Sequence, residues 1–225
     1  MSENSEKKQK GTLLHDALIL FAITLVAATL LGFVYEITKE PIAKAQAKAK
    51  AEAYARVFPG LVSTDDTMNA QLDVCQKMLD EDEELAGTRI DELLTALDAD
   101  GNSLGWVMTI TGTGGYGGEI TIALGIAQEF GSGRKVHLTG VEFLSISETA
   151  GLGMKAKDEE FKGQFRDAYV NRYSFAKKNI SGDTEIDAIS SATVTTAAVT
   201  RMVDAGLAIG GTYVALNDLI EVMGY

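Results

Sequence analysis

The segment Asp187-Ala188-Ile189-Ser190-Ser191-Ala192-Thr193-Val194-Thr195-Thr196-Ala197-Ala198-Val199 runs a cluster of hydroxyls into an apolar stripe. Two readings of it stand side by side. In the first, Ser190 or Ser191 caps the free amides of an ordinary helix start. In the second, a first-turn hydroxyl, above all that of Thr193, is poised where exposed amides and the positive end of a helix dipole stabilise a phosphate. Small neighbours such as Ser191 and Ala192 leave room for an enzyme to reach that hydroxyl.

Other candidate chemistry is sparse. Gly112-Thr-Gly114-Gly-Tyr-Gly117 fits G-x-G-x-x-G, but a dinucleotide site needs a helix after the glycines, and Gly118-Glu-Ile-Thr-Ile-Ala-Leu is strand-like. A glycine-rich turn between strands remains, able to bring backbone close to a flat ligand or simply to reverse the chain. His15 and His137 are the two histidines and Cys75 the one cysteine, which excludes a three-histidine zinc site and paired-cysteine sites. No G-x-S-x-G elbow presents a serine to His137. Asp98-Ala-Asp100-Gly101 begins like a calcium loop without its later ligands, so a tight turn is the better account. No metal ligands and no catalytic acid or base are assigned.

Residues 17–35 hold 19 positions without a charged side chain, about 28 Å of helix and enough to cross a bilayer. The run is too long for a signal-peptide core, and no small-residue cleavage site follows closely. Lys7, Lys8 and Lys10 precede it and only Lys39 follows closely, which puts the N-terminus in the cytoplasm and the large domain outside. Residues 1–35 balance three lysines against three acids, so the net charge of −12 lies in the remainder. Such an acidic domain repels phosphate backbones and argues against nucleic acid as a partner. The expected divisions are a cytoplasmic tail at 1–12, a transmembrane helix at 13–35, a juxtamembrane helix at 36–60 beginning near Pro41, and a single domain at 61–225.

Within that domain, residues 65–97 read as one or two helices, with Asp80-Glu-Asp-Glu-Glu84 as a solvated acidic face. Alternation predicts strands at 106–111, 120–127 and 136–146, the last with a bulge at Thr139-Gly140. Phe161, Phe165 and Ala168 sit at helical spacing. A closing helix starts near Ser191 with Val194, Ala198, Met202, Ala205 and Ile209 on one stripe and a bend at Gly210-Gly211. Cys75 reads as a packed small hydrophobe. The fold class is α+β: one transmembrane helix, then an antiparallel sheet flanked by helices.

Three ordered segments carry a resemblance. Asp187 with Ser190-Ser-Ala-Thr193 resembles the flavinylation motif D-x-x-[S/T]-G-A-[T/S] of the FMN-binding domain family. Gly115-Tyr116-Gly117-Gly118-Glu119-Ile120 is similar to that family's G-Y-G-G-P-I, and Glu148-Thr149-Ala150-Gly151-Leu152-Gly153 to its E-T-P-G-L-G. Ser191 stands where the motif has Gly, and Glu119 and Ala150 where it has Pro. With its anchor, the chain resembles the Rnf-type G subunits, with the C subunits of sodium-translocating NADH:quinone reductase as the near alternative.

The resemblance implies an extracytoplasmic, membrane-anchored electron carrier of an ion-translocating ferredoxin:NAD oxidoreductase complex in a bacterial or archaeal cytoplasmic membrane. It implies FMN held covalently on Thr193 as a phosphoester, attached by a flavin transferase, with the other proteins of the complex and the bilayer as partners. The cofactor contacts it implies are Asp187, Ser190, Ser191, Ala192, Thr196, Glu148, Thr149, Gly151, Leu152, Gly153, Tyr116, Gly117 and Gly118. Without the redox role, the chain would be an anchored binding module or scaffold.

Overall fold

The computed structural model describes residues 3–131, 134–176 and 184–223. Two compact units divide it, Met1–Lys48 and Ala49–Tyr225. The first consists of helix α1, which spans Glu3–Val57 and so continues into the second unit. Leu18, Phe21, Leu31 and Phe33 are each at least 60% exposed, which suits lipid and not water. The hydroxyls of Thr24, Thr29 and Thr38 donate to the carbonyls of Leu20, Leu25 and Val34, so these polar groups are satisfied within the helix. Pro41 does not open a new helix but lies inside α1, where its missing N–H removes one backbone hydrogen bond.

The second unit is built on a six-stranded antiparallel meander: β1 (Ser63–Asp65), β2 (Thr88–Leu97), β3 (Ser103–Gly115), β4 (Gly118–Gly131), β5 (Lys135–Ser145) and β6 (Ala168–Val170), in that order across the sheet. Helix α2 (Leu72–Asp80) precedes β2, and the short α3 (Glu159–Lys162) lies between β5 and β6. A parallel ribbon of β7 (Ser174–Ala176) and β8 (Glu185–Asp187) leads into the closing helix α4 (Thr193–Met223).

Period-2 alternation gives the sheet two apolar faces. Leu93, Trp106, Met108, Ile110, Ile122 and Leu124 share a core with Ala198, Met202, Val203 and Ile209 of α4. On the other side, Ala53, Tyr54, Val57 and Phe58 at the end of α1 pack with Leu94, Ala96, Val107 and Ala123. The expected bulge is present: Gly125 pairs with Gly140 and Ile126 with Leu138, leaving Thr139 extra. Its hydroxyl donates to the carbonyl of Val57 and ties the end of α1 to the sheet.

Several expectations change. Residues 88–97 form strand β2 and not a helix, because Ile90 and Leu93 join one core while Leu94 and Ala96 join the other. Its acids are answered locally: Thr111 donates to Asp91 at 2.5 Å, and Glu92 takes the Tyr54 hydroxyl at 2.7 Å and Lys50 at 2.6 Å. Helical spacing after Asp158 holds only through α3 and one further turn before β6. The acidic face is partly engaged, since Arg172 reaches Asp82 at 3.5 Å and Glu84 at 2.6 Å. Helix α4 continues through Gly210, where a Cβ would stand 2.7 Å from Ile126. The glycine lets helix and sheet approach closely.

Three buried groups complete the interior. Cys75 is packed as expected, 3.4 Å from the Tyr213 hydroxyl, and burial pushes its thiol up. Asp204 on α4 accepts the Tyr173 N–H at 2.8 Å, with Arg172 at 3.8 Å, and its burial raises its pKa to about 7. Burial likewise lifts Tyr54 well above the usual tyrosine range.

Candidate functional site

Helix α4 begins at Thr193 after a tight loop. The loop is closed by the Ala192 N–H donating to Ile189 at 3.0 Å and stapled by Thr196. The Thr196 hydroxyl accepts the Ile189 N–H at 3.1 Å and donates to the Ala192 carbonyl at 3.0 Å. Ser191 takes a φ of 65°, the left-handed region that glycine occupies freely. The family motif's glycine therefore has a backbone reason here, and Ser191 holds the same turn at a cost of about 1–2 kcal/mol.

Neither Ser190 nor Ser191 caps α4. Among the described residues the backbone N–H groups of Thr193, Val194 and Thr195 have no hydrogen-bond partner. Three N–H groups thus stand open at the positive end of a 31-residue helix.

Two loops face this helix start. The β3–β4 hairpin turns through Tyr116-Gly117, with Gly115 paired to Gly118, and leaves Tyr116 80% exposed at its tip. After β5, the Thr149 carbonyl accepts the N–H groups of Leu152 and Met154 at 3.1 and 3.2 Å, with Gly151 at a φ of 76°. Together they enclose a cleft of about 320 Å³. Tyr116, Glu148, Thr149, Leu152 and Gly153 line one side, and Ser191, Ala192, Thr193, Val194 and Thr195 the other.

Glu148 is buried beneath this cleft, and its Oε1 has no hydrogen-bond partner. Glycines bound the carboxylate: a Cβ on Gly115 would lie 2.8 Å from Oε1, and one on Gly153 2.7 Å from Oε2. Tyr116, Glu148, Thr149, Leu152, Gly153, Ser191, Ala192 and Thr193 are therefore brought together.

The other singled-out residues shape the surroundings. Gly117 packs against the Ser147 carbonyl, with which any Cβ would collide, and Gly118 completes the turn. Gly151 turns the facing loop, and Thr196 lies under the helix start. Asp187 and Ser190 do not line the cleft: Asp187 is exposed and its backbone is held by Gln164 at 2.7 Å, while Ser190 is exposed in the turn that precedes α4. Sequence reasoning misses Val194 and Thr195 as lining residues. The apolar stripe assigns Val194 to the core, yet it is 52% exposed, because the first turn of α4 faces the cleft and not the sheet.

A single-span chain with a meander, a closing helix and this anion-ready cleft is a membrane-anchored FMN-binding protein: residues 115–208 match the FMN-binding domain family. Residues 1–57 match the RnfG N-terminal region, and the chain is similar to Rnf-type G subunits. It is 29% identical over 180 residues to the G subunit of an ion-translocating oxidoreductase complex from Methanosarcina acetivorans, covering 80% of this chain and 85% of that one. The G subunit of the Na(+)-translocating ferredoxin:NAD(+) oxidoreductase complex of Acetobacterium woodii is 26% identical over 192 residues, covering 83% and 86%. Its counterpart in the proton-translocating ferredoxin:NAD(+) oxidoreductase complex of Clostridium ljungdahlii is 33% identical over 87 residues, 39% and 43% of the two chains.

The residues present fit FMN. The open amides at the start of α4 suit a phosphate, the glycine-bounded loops suit a flat ring, and the orphaned Glu148 Oε1 awaits a donor.

Proposed function

We propose that this chain is the flavin-bearing, membrane-anchored subunit of an ion-translocating ferredoxin:NAD oxidoreductase complex, and that it carries FMN on Thr193 as a phosphoester. The observation behind this reading is the position of Thr193, first in α4 and bordering the cleft beside three open N–H groups. Bound flavin supplies the electron-transfer chemistry. The amides of Thr193, Val194 and Thr195 hold the phosphate in this reading, and Thr149 offers a hydroxyl to the ring. Tyr116, Leu152 and Val194 wall the ring in, and Gly117, Gly118, Gly151 and Gly153 let backbone approach it. Asp187, Ser190, Ser191, Ala192 and Thr196 present the attachment loop to a flavin transferase.

Covalent attachment outside the cytoplasm removes the need to recapture a scarce cofactor. The basic tail at 1–12 stays cytoplasmic, the helix at 13–35 crosses the bilayer, the helical segment at 36–60 follows it, and the domain at 61–225 is extracytoplasmic, with the other proteins of the complex as redox partners. One apolar span cannot line an ion path, so the pump belongs to those partners. The names of the relatives include both sodium ions and protons as the translocated ion.

Intact mass tests this. Full-length protein co-expressed with a flavin transferase gains one FMN-phosphoester, which peptide mapping assigns to Thr193, and Thr193→Ala gains none. A wild-type protein without the added mass, or a Thr193→Ala variant that retains it, overturns the reading.

A further inference from the structure

Three buried side-chain atoms among the described residues lack a hydrogen-bond partner: His137 Nδ1, the Tyr173 hydroxyl and Glu148 Oε1. Of these residues, only Glu148 borders the cleft with Thr193. It is 9% exposed, and no Lys, Arg or His among the described residues pairs with it. A buried carboxylate without a cation or donor is destabilising, and groups left in that state in native proteins cluster at functional sites.

The surroundings are shaped for that carboxylate. Gly115 comes from the β3 hairpin and Gly153 from the loop after β5, two separate segments, and any side chain on either would strike a Glu148 oxygen. Thr195 Oγ1 closes the same corner, 2.6 Å from where a Gly153 Cβ would stand. The carboxylate is thus packed among these glycines in the cleft lining, with Oε1 buried and without a hydrogen-bond partner.

We propose that Glu148 is the electrostatic partner of the bound flavin: its carboxylate accepts an N–H of the isoalloxazine edge and holds the flavin's reduction potential down. This rests on the FMN reading above. A fixed negative charge in a water-poor site disfavours added electron density beside it, so the oxidised form is favoured over the reduced one. Glu148 is a positioning and tuning residue and takes no part in proton or group transfer.

The test is spectroelectrochemical titration of flavin-loaded, detergent-solubilised full-length protein. Glu148→Gln keeps the shape and removes the charge. Relative affinity for reduced over oxidised flavin rises about tenfold, which moves a two-electron midpoint up by about 30 mV. Glu148→Asp, which keeps the charge, stays near the wild-type value. A loaded Glu148→Gln protein with an unchanged midpoint overturns the inference and leaves the FMN reading intact, whereas wild-type protein that never acquires FMN overturns both. Where Glu148→Gln is not recovered folded, the reduced-minus-oxidised infrared spectrum of carboxylate-labelled wild type decides. A glutamate carboxylate band that shifts on reduction supports the proposal, and an unmoved band overturns it.

Discussion

The Thr196 hydroxyl holds Ile189 and Ala192 at once, accepting the N–H of the first at 3.1 Å and donating to the carbonyl of the second at 3.0 Å. Thr196→Val keeps the shape and leaves a buried N–H unpaired. The expected loss is about 1–3 kcal/mol, read as a lower denaturant midpoint. Flavin attachment at Thr193 falls with it, as the mass of the co-expressed product would report.

Ser191 strains its own turn. With φ at 65°, Ser191→Gly relieves about 1–2 kcal/mol of left-handed strain and gives back about 0.4–1 kcal/mol through a freer unfolded chain. A small net gain in thermal midpoint is expected. Ser191→Val, β-branched in the same conformation, lowers the midpoint instead.

Asp204 makes stability fall with rising pH. Its folded pKa of about 7 lies above the ordinary value of 3.8, so the native state binds the proton that the unfolded chain has released. The contribution is complete below about pH 4 and is lost as pH rises to about 7, by up to about 1.4 kcal/mol for each pH unit. Asp204→Asn retains an acceptor for the Tyr173 N–H. Unfolding free energies of the two proteins, compared between about pH 4.5 and about 7.5, diverge by that slope. Parallel curves would refute the assignment.

Tyr54 joins the end of α1 to the sheet through two hydroxyl contacts, Glu92 at 2.7 Å and Thr109 at 2.6 Å. Tyr54→Phe strips both and is expected to destabilise the domain by about 1–3 kcal/mol. Adding Glu92→Gln to Tyr54→Phe should lose less than the sum of the two single changes, a coupling that a double-mutant cycle measures.

The strands at 106–111, 120–127 and 136–146 are legible because their side chains alternate over a buried face, and the Thr139 bulge because the alternation changes phase there. Strand β2 is not, since Asp91 and Glu92 look solvated until Thr111, Tyr54 and Lys50 come to meet them from distant parts of the chain. Likewise the attachment segment is visible as a motif, while Val194 and Thr195 are hidden by periodicity. A 3.6-residue stripe says which residues share a helix face, but not that the first turn overhangs a cleft. The Glu148 carboxylate is named through resemblance. Its packing depends on Gly115 and Gly153 each closing on it from separate segments, which no linear pattern records.

Asp204 and Tyr173 are 31 positions apart, and their hydrogen bond clasps a ring of chain that contains the β7–β8 ribbon, the left-handed turn and Thr193. In the proposed reading, an enzyme that modifies Thr193 meets a segment fastened at both ends and not a free end. Loss of the Asp204 acceptor would unfasten this segment at a point outside the cleft, so the presentation of Thr193 depends on a contact that no cleft residue makes.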